Sequence, residues 1–220
     1  MQTNIFKFEE KSEIDLAYLL YLPQDRKPGE HLPMIVFLHG AGERADAAEG
    51  KVSLVAVNGI PRYIEEGKFA PHAIVLCPQC PKEKVWNNLT APLKALIDRV
   101  AEEQNADPDR ISLTGLSMGG YGTWEMGAAY PGFFAALAPI CGGGISWRAP
   151  VIGKTPVRAF HGMEDDVVPC RNSTEMCDAL RRSGGNVSLT LFAYERHNSW
   201  DAAYRQTDLL SWLLSACRKG

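Results

Sequence analysis

The sequence contains no long hydrophobic run and no block of like charges. No apolar stretch reaches the roughly 20 residues that a helix needs to cross a bilayer, which argues against a membrane-spanning segment. The net charge of −3 comes without a run of lysine and arginine, so we expect no nucleic-acid partner and no insertion into a membrane. Residues 1–20 carry charges too early and too often for a secretory signal, which predicts a cytoplasmic protein. A signal removed before residue 1 is left open.

Internal repeats and low-complexity linkers are also absent. The chain has 220 residues, of which 45% are hydrophobic and 22% charged, and this is ordinary globular composition. Such a length suits one α/β domain with a sizeable core, so we predict a single domain over residues 1–220.

Cysteine is sparse, with six residues in a chain too long to depend on disulfides, and we expect free thiols. Cys77 and Cys80 have the spacing of redox and zinc sites. Prolines flank them, and no second pair or nearby histidine completes a zinc tetrad. We therefore favour a structural role for the two thiols, with a thiol-redox protein as an alternative.

Short strand-like and helix-like segments alternate along most of the chain. β-Branched and apolar runs predict strands at 14–22, 34–40, 73–78, 110–115, 134–142, 156–162 and 187–195. Helical periodicity predicts helices at 91–105, with Thr90 as its cap, and at about 117–130, 172–185 and 200–220. The alternation indicates a mostly parallel sheet with helices on both faces, in which ligands bind at the carboxyl ends of the strands.

One serine stands between two glycines where a predicted strand meets a predicted helix. The stretch Gly115-Leu116-Ser117-Met118-Gly119 fits the G-x-S-x-G pattern of a nucleophile on a sharp turn. Small residues two positions either side relieve the crowding of such a turn. The amides at the start of the helix then face the serine and can stabilise negative charge. A plain glycine-rich turn is the alternative.

A serine nucleophile needs a base, and His197 is the histidine best placed to serve. It lies in a polar loop between the last predicted strand and the last predicted helix. His39 and His161 each precede a glycine directly after a strand, where a turn-stabilising hydrogen bond is the simpler interpretation. Taken alone, His197 would be a surface histidine, but the serine favours its role as the base.

Three acids follow the strand that precedes the histidine strand: Glu164, Asp165 and Asp166. One of them would orient the imidazole and stabilise its charged form. The chain order serine, acid, histidine is the order of a triad on an α/β-hydrolase sheet.

The chain resembles α/β-hydrolases of the carboxylesterase and phospholipase-like group, especially the small esterases labelled predicted peptidases. The matching stretches are FLHGAGER, LCPQCP, WNN, DPDRISLTGLSMGGYGTW, FHGMEDDVVP and ERHNSWDAAY, between residues 37 and 204. The group's H-G-x-x-D-x-x-V-P pattern implies Asp165 as the acid, with Cys170 after it as a departure from the pattern. Its H-G-x-G segment implies an oxyanion hole from the amides of Ala41 and Met118.

The resemblance implies a serine carboxylesterase that uses Ser117, Asp165 and His197 and needs no metal or cofactor. Trp86 and Trp200 are candidates for contact with the ester substrate. Glu43 and Arg44 are expected to form a local ion pair. The short insertions between strands leave little or no room for a cap, which predicts an open site for short acyl groups.

Three alternatives to the esterase remain at this stage. A serine peptidase would use the same fold and the same triad. A non-catalytic binding module would differ in class, although the chain retains all three triad candidates. The third alternative is the thiol-redox protein based on Cys77 and Cys80. The sequence leaves the natural ester, the preference between ester and amide, and the oligomeric state open.

Overall fold

A twisted sheet of eight strands runs through the computed structural model, which describes residues 16–218 and the main chain of residues 2–6. The strands are β1 (Gln2–Phe6), β2 (Tyr18–Leu22), β3 (Leu32–Leu38), β4 (Ile74–Pro78), β5 (Ala106–Leu116), β6 (Ala136–Ile140), β7 (Val157–Gly162) and β8 (Val187–Phe192). Their order across the sheet is β1-β2-β4-β3-β5-β6-β7-β8. Only the pairings of β2 with β1 and β4 are antiparallel, so the predicted mostly parallel sheet is confirmed.

Helices cover the sheet on both faces. They are α1 (Gly59–Glu65), α2 (Thr90–Glu103), α3 (Met118–Ala129), α4 (Arg171–Arg182), α5 (Trp200–Gln206) and α6 (Leu209–Ser215). Helices α2, α3 and α4 pack in one buried cluster and α1, α5 and α6 in another. Within β3, Met34, Val36 and Leu38 face the first cluster, while Ile35 and Phe37 face the second. This two-residue alternation is why a strand covered on both faces is apolar throughout.

The longest connection in the parallel part of the sheet, between β3 and β4, packs as part of the body. It forms 3-10 turns at Ala41–Glu43, Ala47–Glu49 and Val52–Val57 before α1. Val55, Ile60 and Tyr63 in this segment are buried against the sheet. The segment therefore extends the second layer instead of forming a cap. Within the described residues, no helix combines the length and the apolar character needed to span a membrane.

Two details of the predicted helices are wrong. Thr90 is the first residue of α2, and Leu89 takes the cap position without a side-chain cap bond. The C-terminal segment forms two helices instead of one, because Thr207 is extended and interrupts it. The Thr207 hydroxyl donates to the Ala203 carbonyl and accepts from the Leu209 amide, ending one helix and starting the next. Residues 219 and 220 of the predicted helix lie outside the described residues.

Candidate active site

Ser117 occupies a sharp turn between β5 and α3. Its φ of 53° and ψ of −118° are unfavourable for a residue with a side chain, and such a conformation costs on the order of 1–3 kcal/mol. A Cβ atom at Gly115 would collide with the carbonyl of Gly119, and one at Gly119 would collide with the carbonyl of Leu38. The close approach of β3, β5 and α3 therefore requires both glycines of the G-x-S-x-G stretch. The turn leaves Ser117 half-buried at the carboxyl edge of the sheet.

Ser117, His197 and Asp165 form one chain of hydrogen bonds. The Nε2 atom of His197 lies 2.9 Å from Ser117 Oγ, and its Nδ1 atom lies 2.8 Å from Asp165 Oδ2. A carboxylate only accepts, so Nδ1 carries the proton and Nε2 is free to accept the serine proton. The side chain of His197 keeps 20% of its surface exposed, whereas that of Asp165 has none.

The environment of Asp165 keeps its carboxylate charged. Burial alone would raise the pKa of Asp165, but the bond from His197 and those from the Val168 and Val167 amides outweigh it, and the pKa lies below its usual value. Asp166 is exposed and lies 2.5 Å from Arg196. The two neighbouring acids therefore point to different partners, and Asp165 is the one that faces His197.

The two predicted oxyanion donors are Met118, which directly follows the serine, and Ala41, which lies in the loop after β3. Ala41 is the first residue of its 3-10 turn and Met118 is the first residue of α3. The amides of first residues have no partner within their own helix, so neither amide is used by the helix that it begins. A Cβ atom at Gly40 would lie 3.7 Å from the Cβ of Ser117, which places the loop from β3 against the nucleophile.

Known proteins share both this sequence pattern and this architecture. The model of the Esterase family, described as "Putative esterase", matches residues 11–202. The chain belongs to this family. The predicted α/β-hydrolase fold is confirmed by a thermostable esterase of known structure, with a TM-score of 0.80 and 33% identity. That comparison covers 98% of this chain and 63% of the other.

Two curated relatives share shorter regions with this Esterase-family chain. The bifunctional acetylxylan esterase/xylanase XynS20E of Neocallimastix patriciarum is 33% identical over 75% of the chain. The poly(3-hydroxyalkanoate) depolymerase C of Paucimonas lemoignei is 35% identical over 29% of the chain. The aligned regions span only 23% and 18% of these relatives, respectively, which are much longer proteins.

The two predicted substrate-contacting tryptophans differ in position. Trp86 has no exposed surface, and its Nε1–H donates to the His39 carbonyl over 3.0 Å. It supports the loop that follows β3 and offers no surface to a substrate in this structure. Trp200 is half-buried, with its ring edge-on to His197 at a centroid distance of 5.7 Å. It can therefore limit the movement of that imidazole.

The expected ion pair between Glu43 and Arg44 does not form. Glu43 is buried, and its Oε1 atom accepts from Asn58 over 2.6 Å. Arg44 turns away and donates to the carbonyls of Ala41 and Lys84. Both residues thus hold the loop that carries the Ala41 amide. The sequence alone could not show that Glu43 and Arg44 bind separate partners instead of each other.

Cys77, Cys80 and Cys141 are buried and form no disulfide. Burial raises the pKa of the Cys77 thiol well above its usual value and that of Cys80 to about 12. A redox cysteine needs a lowered pKa, so the burial and raised pKa values of these two thiols argue against the thiol-redox alternative. Sequence reasoning missed Cys141, whose Sγ atom accepts from the Ser117 amide over 3.2 Å. Cys141 directly follows β6, at the same edge of the sheet as Ser117, and this position could have predicted the contact.

Proposed function

We propose that this protein is a serine carboxylesterase that hydrolyses short-chain acyl esters. Ser117 is the nucleophile, His197 the base and Asp165 the orienting acid. The observation that carries the proposal is the continuous chain from Ser117 Oγ through His197 to Asp165, with distances of 2.9 Å and 2.8 Å. Membership of the Esterase family supports the same chemistry.

The proposed reaction has two similar halves. In the first, His197 Nε2 takes the hydroxyl proton while Ser117 Oγ attacks the acyl carbon, and the resulting oxyanion is held by the Ala41 and Met118 amides. The imidazolium then gives its proton to the alcohol oxygen as the ester C–O bond breaks. In the second half, His197 takes a proton from water, which attacks the acyl carbon. The imidazolium then returns this proton to Ser117 Oγ as the acyl C–Oγ bond breaks, which releases the carboxylic acid and restores the free serine.

Asp165 would contribute to both halves without moving a proton. Its carboxylate holds the His197 ring with Nε2 toward Ser117 and stabilises the positive charge that the ring gains. The lowered pKa of Asp165 suits this role, because a neutral carboxylic acid would offer no negative charge to the imidazolium.

The accessibility of the site supports short acyl groups. Ser117 is half-buried and the side chain of His197 is 20% exposed, so a substrate reaches both without the opening of a lid. The likeness to an acetylxylan esterase supports a small acyl group on a bulky alcohol. A deep apolar tunnel would be needed to reward long acyl chains.

A labelling experiment tests the nucleophile. A fluorophosphonate probe should react with Ser117 alone, and Ser117→Ala should lower hydrolysis of p-nitrophenyl acetate on the order of 10⁴-fold. Ser188→Ala, at an exposed position of β8, is the matched control and should keep normal turnover. Labelling of another residue, or an active Ser117→Ala variant, would refute the proposal. Parallel assays with peptide anilides should show little turnover, which separates the esterase from a peptidase.

A further inference from the structure

His161 is a buried histidine that the proposed reaction does not use. It lies in β7 and has no exposed surface. Its Nε2 atom lies 3.1 Å from Asp165 Oδ2 and 2.8 Å from the Val168 carbonyl oxygen. Its Nδ1 atom lies 2.7 Å from the hydroxyl of Ser173 on α4. The ring therefore joins the acid loop to the helix that follows it.

The partners of His161 fix the position of its proton. Asp165 and the Val168 carbonyl can only accept, so Nε2 must carry a proton. The Ser173 hydroxyl can donate to Nδ1 of a neutral ring or, with a charged ring, to the Gly142 carbonyl 2.9 Å away. Burial lowers the pKa of His161, against the opposing bonds to Val168 and Asp165, which favours the neutral ring with Ser173 donating to it.

The two oxygens of Asp165 are held in different ways. Oδ1 accepts from the amides of Val167 and Val168, over 2.9 Å and 2.8 Å. Oδ2 receives the His161 Nε2–H and the His197 Nδ1–H. The His197 Nδ1 atom also lies 3.0 Å from Oδ1, so it is shared between the two oxygens. Without His161, Oδ2 would keep only this shared contact, and the amide bonds to Oδ1 alone would oppose a small rotation of the carboxylate about the Cβ–Cγ bond.

We propose that His161 is a positioning residue that holds the Asp165 carboxylate in the plane required by His197. It touches neither Ser117 nor the substrate and acts only through Asp165. The inference rests on the proposed function for its kinetic consequence, but the orientation of Asp165 is a property of the folded protein and can be measured without turnover.

Few other titratable groups lie near this pair. Tyr121 on α3 and Cys141 after β6 both interact with Asp165, and burial raises the pKa of each, so neither changes charge near neutral pH. The Asp166–Arg196 pair on the same loops is exposed. His161 also interacts electrostatically with His197, but burial lowers its pKa and favours its neutral ring. A change in the titration of His197 on replacing His161 would therefore report on Asp165.

Two substitutions at position 161 separate positioning from packing. His161→Met fills the space without an N–H donor, whereas His161→Gln can place an amide N–H near the position of Nε2. In His161→Met, kcat per probe-labelled site should fall about 10- to 100-fold with little change in KM, since small misplacements cost this much. The acid limb of its kcat/KM profile should move to lower pH, because a turned carboxylate no longer stabilises the imidazolium. His161→Gln should recover most of both losses.

A nitrogen-NMR titration of His197 in the Ser117→Ala background supplies the readout that needs no turnover. Its signal is assigned as the one lost in His197→Gln, and its midpoint should fall on adding His161→Met and return with His161→Gln. If wild-type protein hydrolyses no ester, the proposed function fails while this titration still decides the inference. Unchanged kcat and midpoint in His161→Met, or no recovery with glutamine, would overturn it. Should the methionine variant not fold, Ser173→Ala, which removes the Nδ1 donor, should shift the midpoint in the same direction, and an unchanged midpoint there would also overturn it.

Discussion

At the scale of single residues, Asp165 and Asp166 are neighbours with different surroundings. Asp165 is buried against His197, and Asp166 is exposed beside Arg196. We expect Asp165→Asn to lower kcat on the order of 10³- to 10⁴-fold, because the imidazole then adopts the wrong tautomer. Asp166→Asn should change kcat by less than about threefold, since exposed pairs contribute little. Steady-state assays of both variants check this, and reversed results would show that the acid is Asp166.

The same carboxylate should affect stability in acid. The folded-state pKa of Asp165 lies below its value in the unfolded chain, which is about 3.9. Its ionised form therefore stabilises the fold above about pH 4, and this contribution is lost as the pH falls through the folded-state pKa. Urea unfolding between pH 7 and pH 2 should show the stability difference between wild type and Asp165→Asn shrinking below pH 4.

Asp166→Asn is the control for this pH series and should follow the wild type throughout. A difference between wild type and Asp165→Asn that stayed constant with pH would contradict the charged, hydrogen-bonded state of Asp165.

Several residue positions followed from the sequence for reasons that the structure makes clear. Ser117 and His197 were identifiable because each follows a strand, and strands of a parallel sheet end at one edge. Asp165 could be separated from Asp166 only by its spacing in sequence from His161 and from Val168-Pro169 in the H-G-x-x-D-x-x-V-P pattern. The burial of Trp86 was not predictable, since an aromatic side chain after a strand can point outward or inward. The same holds for the bond from Ser117 to Cys141, which depends on the conformation of Cys141 at a φ of 41°.

At the scale of elements, the strand–turn–helix unit around Ser117 depends on close contact between main chains. Gly119→Ala would push a Cβ atom into the Leu38 carbonyl at the end of β3. We expect a loss of about 3 kcal/mol or more in the free energy of unfolding, because neither main chain can move aside easily. Gly42→Ala is the matched control, because no atom lies within 4 Å of its added Cβ.

Denaturant unfolding of the two glycine variants gives the comparison. The free energy of unfolding of Gly42→Ala should lie within about 1 kcal/mol of the wild-type value. A small gain would agree with the proposal, because alanine lowers the conformational entropy of the unfolded chain. Equal stabilities for the two variants would mean that β3 and α3 are farther apart than the structure shows.

Elements with strong periodicity were predictable, and those decided by local competition were not. The seven buried residues of β3 form a continuous apolar run that only a covered strand explains. The break at Thr207 depends on one hydroxyl competing with main-chain bonds, which hydrophobic spacing does not reveal. Helix α1 is only seven residues long, so the helical spacing of Ile60, Tyr63 and Ile64 extends over little more than one turn and is too short to predict a helix.

At the scale of the whole molecule, the proposed preference for short acyl groups depends on the absence of a cap in the described part of the chain. The long β3–β4 segment packs into the second layer and does not form a cap. We therefore expect the p-nitrophenyl ester series to show highest kcat/KM at about two to four acyl carbons. Each further methylene that stays in water gains none of the roughly 0.8 kcal/mol available from burial. Assays below micelle-forming concentrations check this, and a maximum at eight carbons or beyond would reveal an acyl tunnel.

The architecture followed from the sequence more completely than the substrate did. Alternating elements and the order serine, acid, histidine restrict the fold to very few arrangements. The acyl and alcohol preferences depend on the loops around the site at the carboxyl edge of the sheet. Side chains there are exposed, and their spacing in the sequence shows no periodicity from which their positions could be predicted. The single-domain and cytoplasmic assignments remain predictions.

The position of β8 at the edge of the sheet ties the proposed chemistry to a strand with few buried contacts. Among the strands that the structure describes, β8 pairs with β7 alone. None of its six residues is buried, whereas all five residues of β6 are. His197 follows β8 by only a few residues. Local unfolding begins where buried contacts are few, at a free energy well below that of global unfolding. Fraying of this one strand would separate His197 from Ser117 while β3 to β6 stayed intact, so on warming the protein would become inactive before it became unfolded.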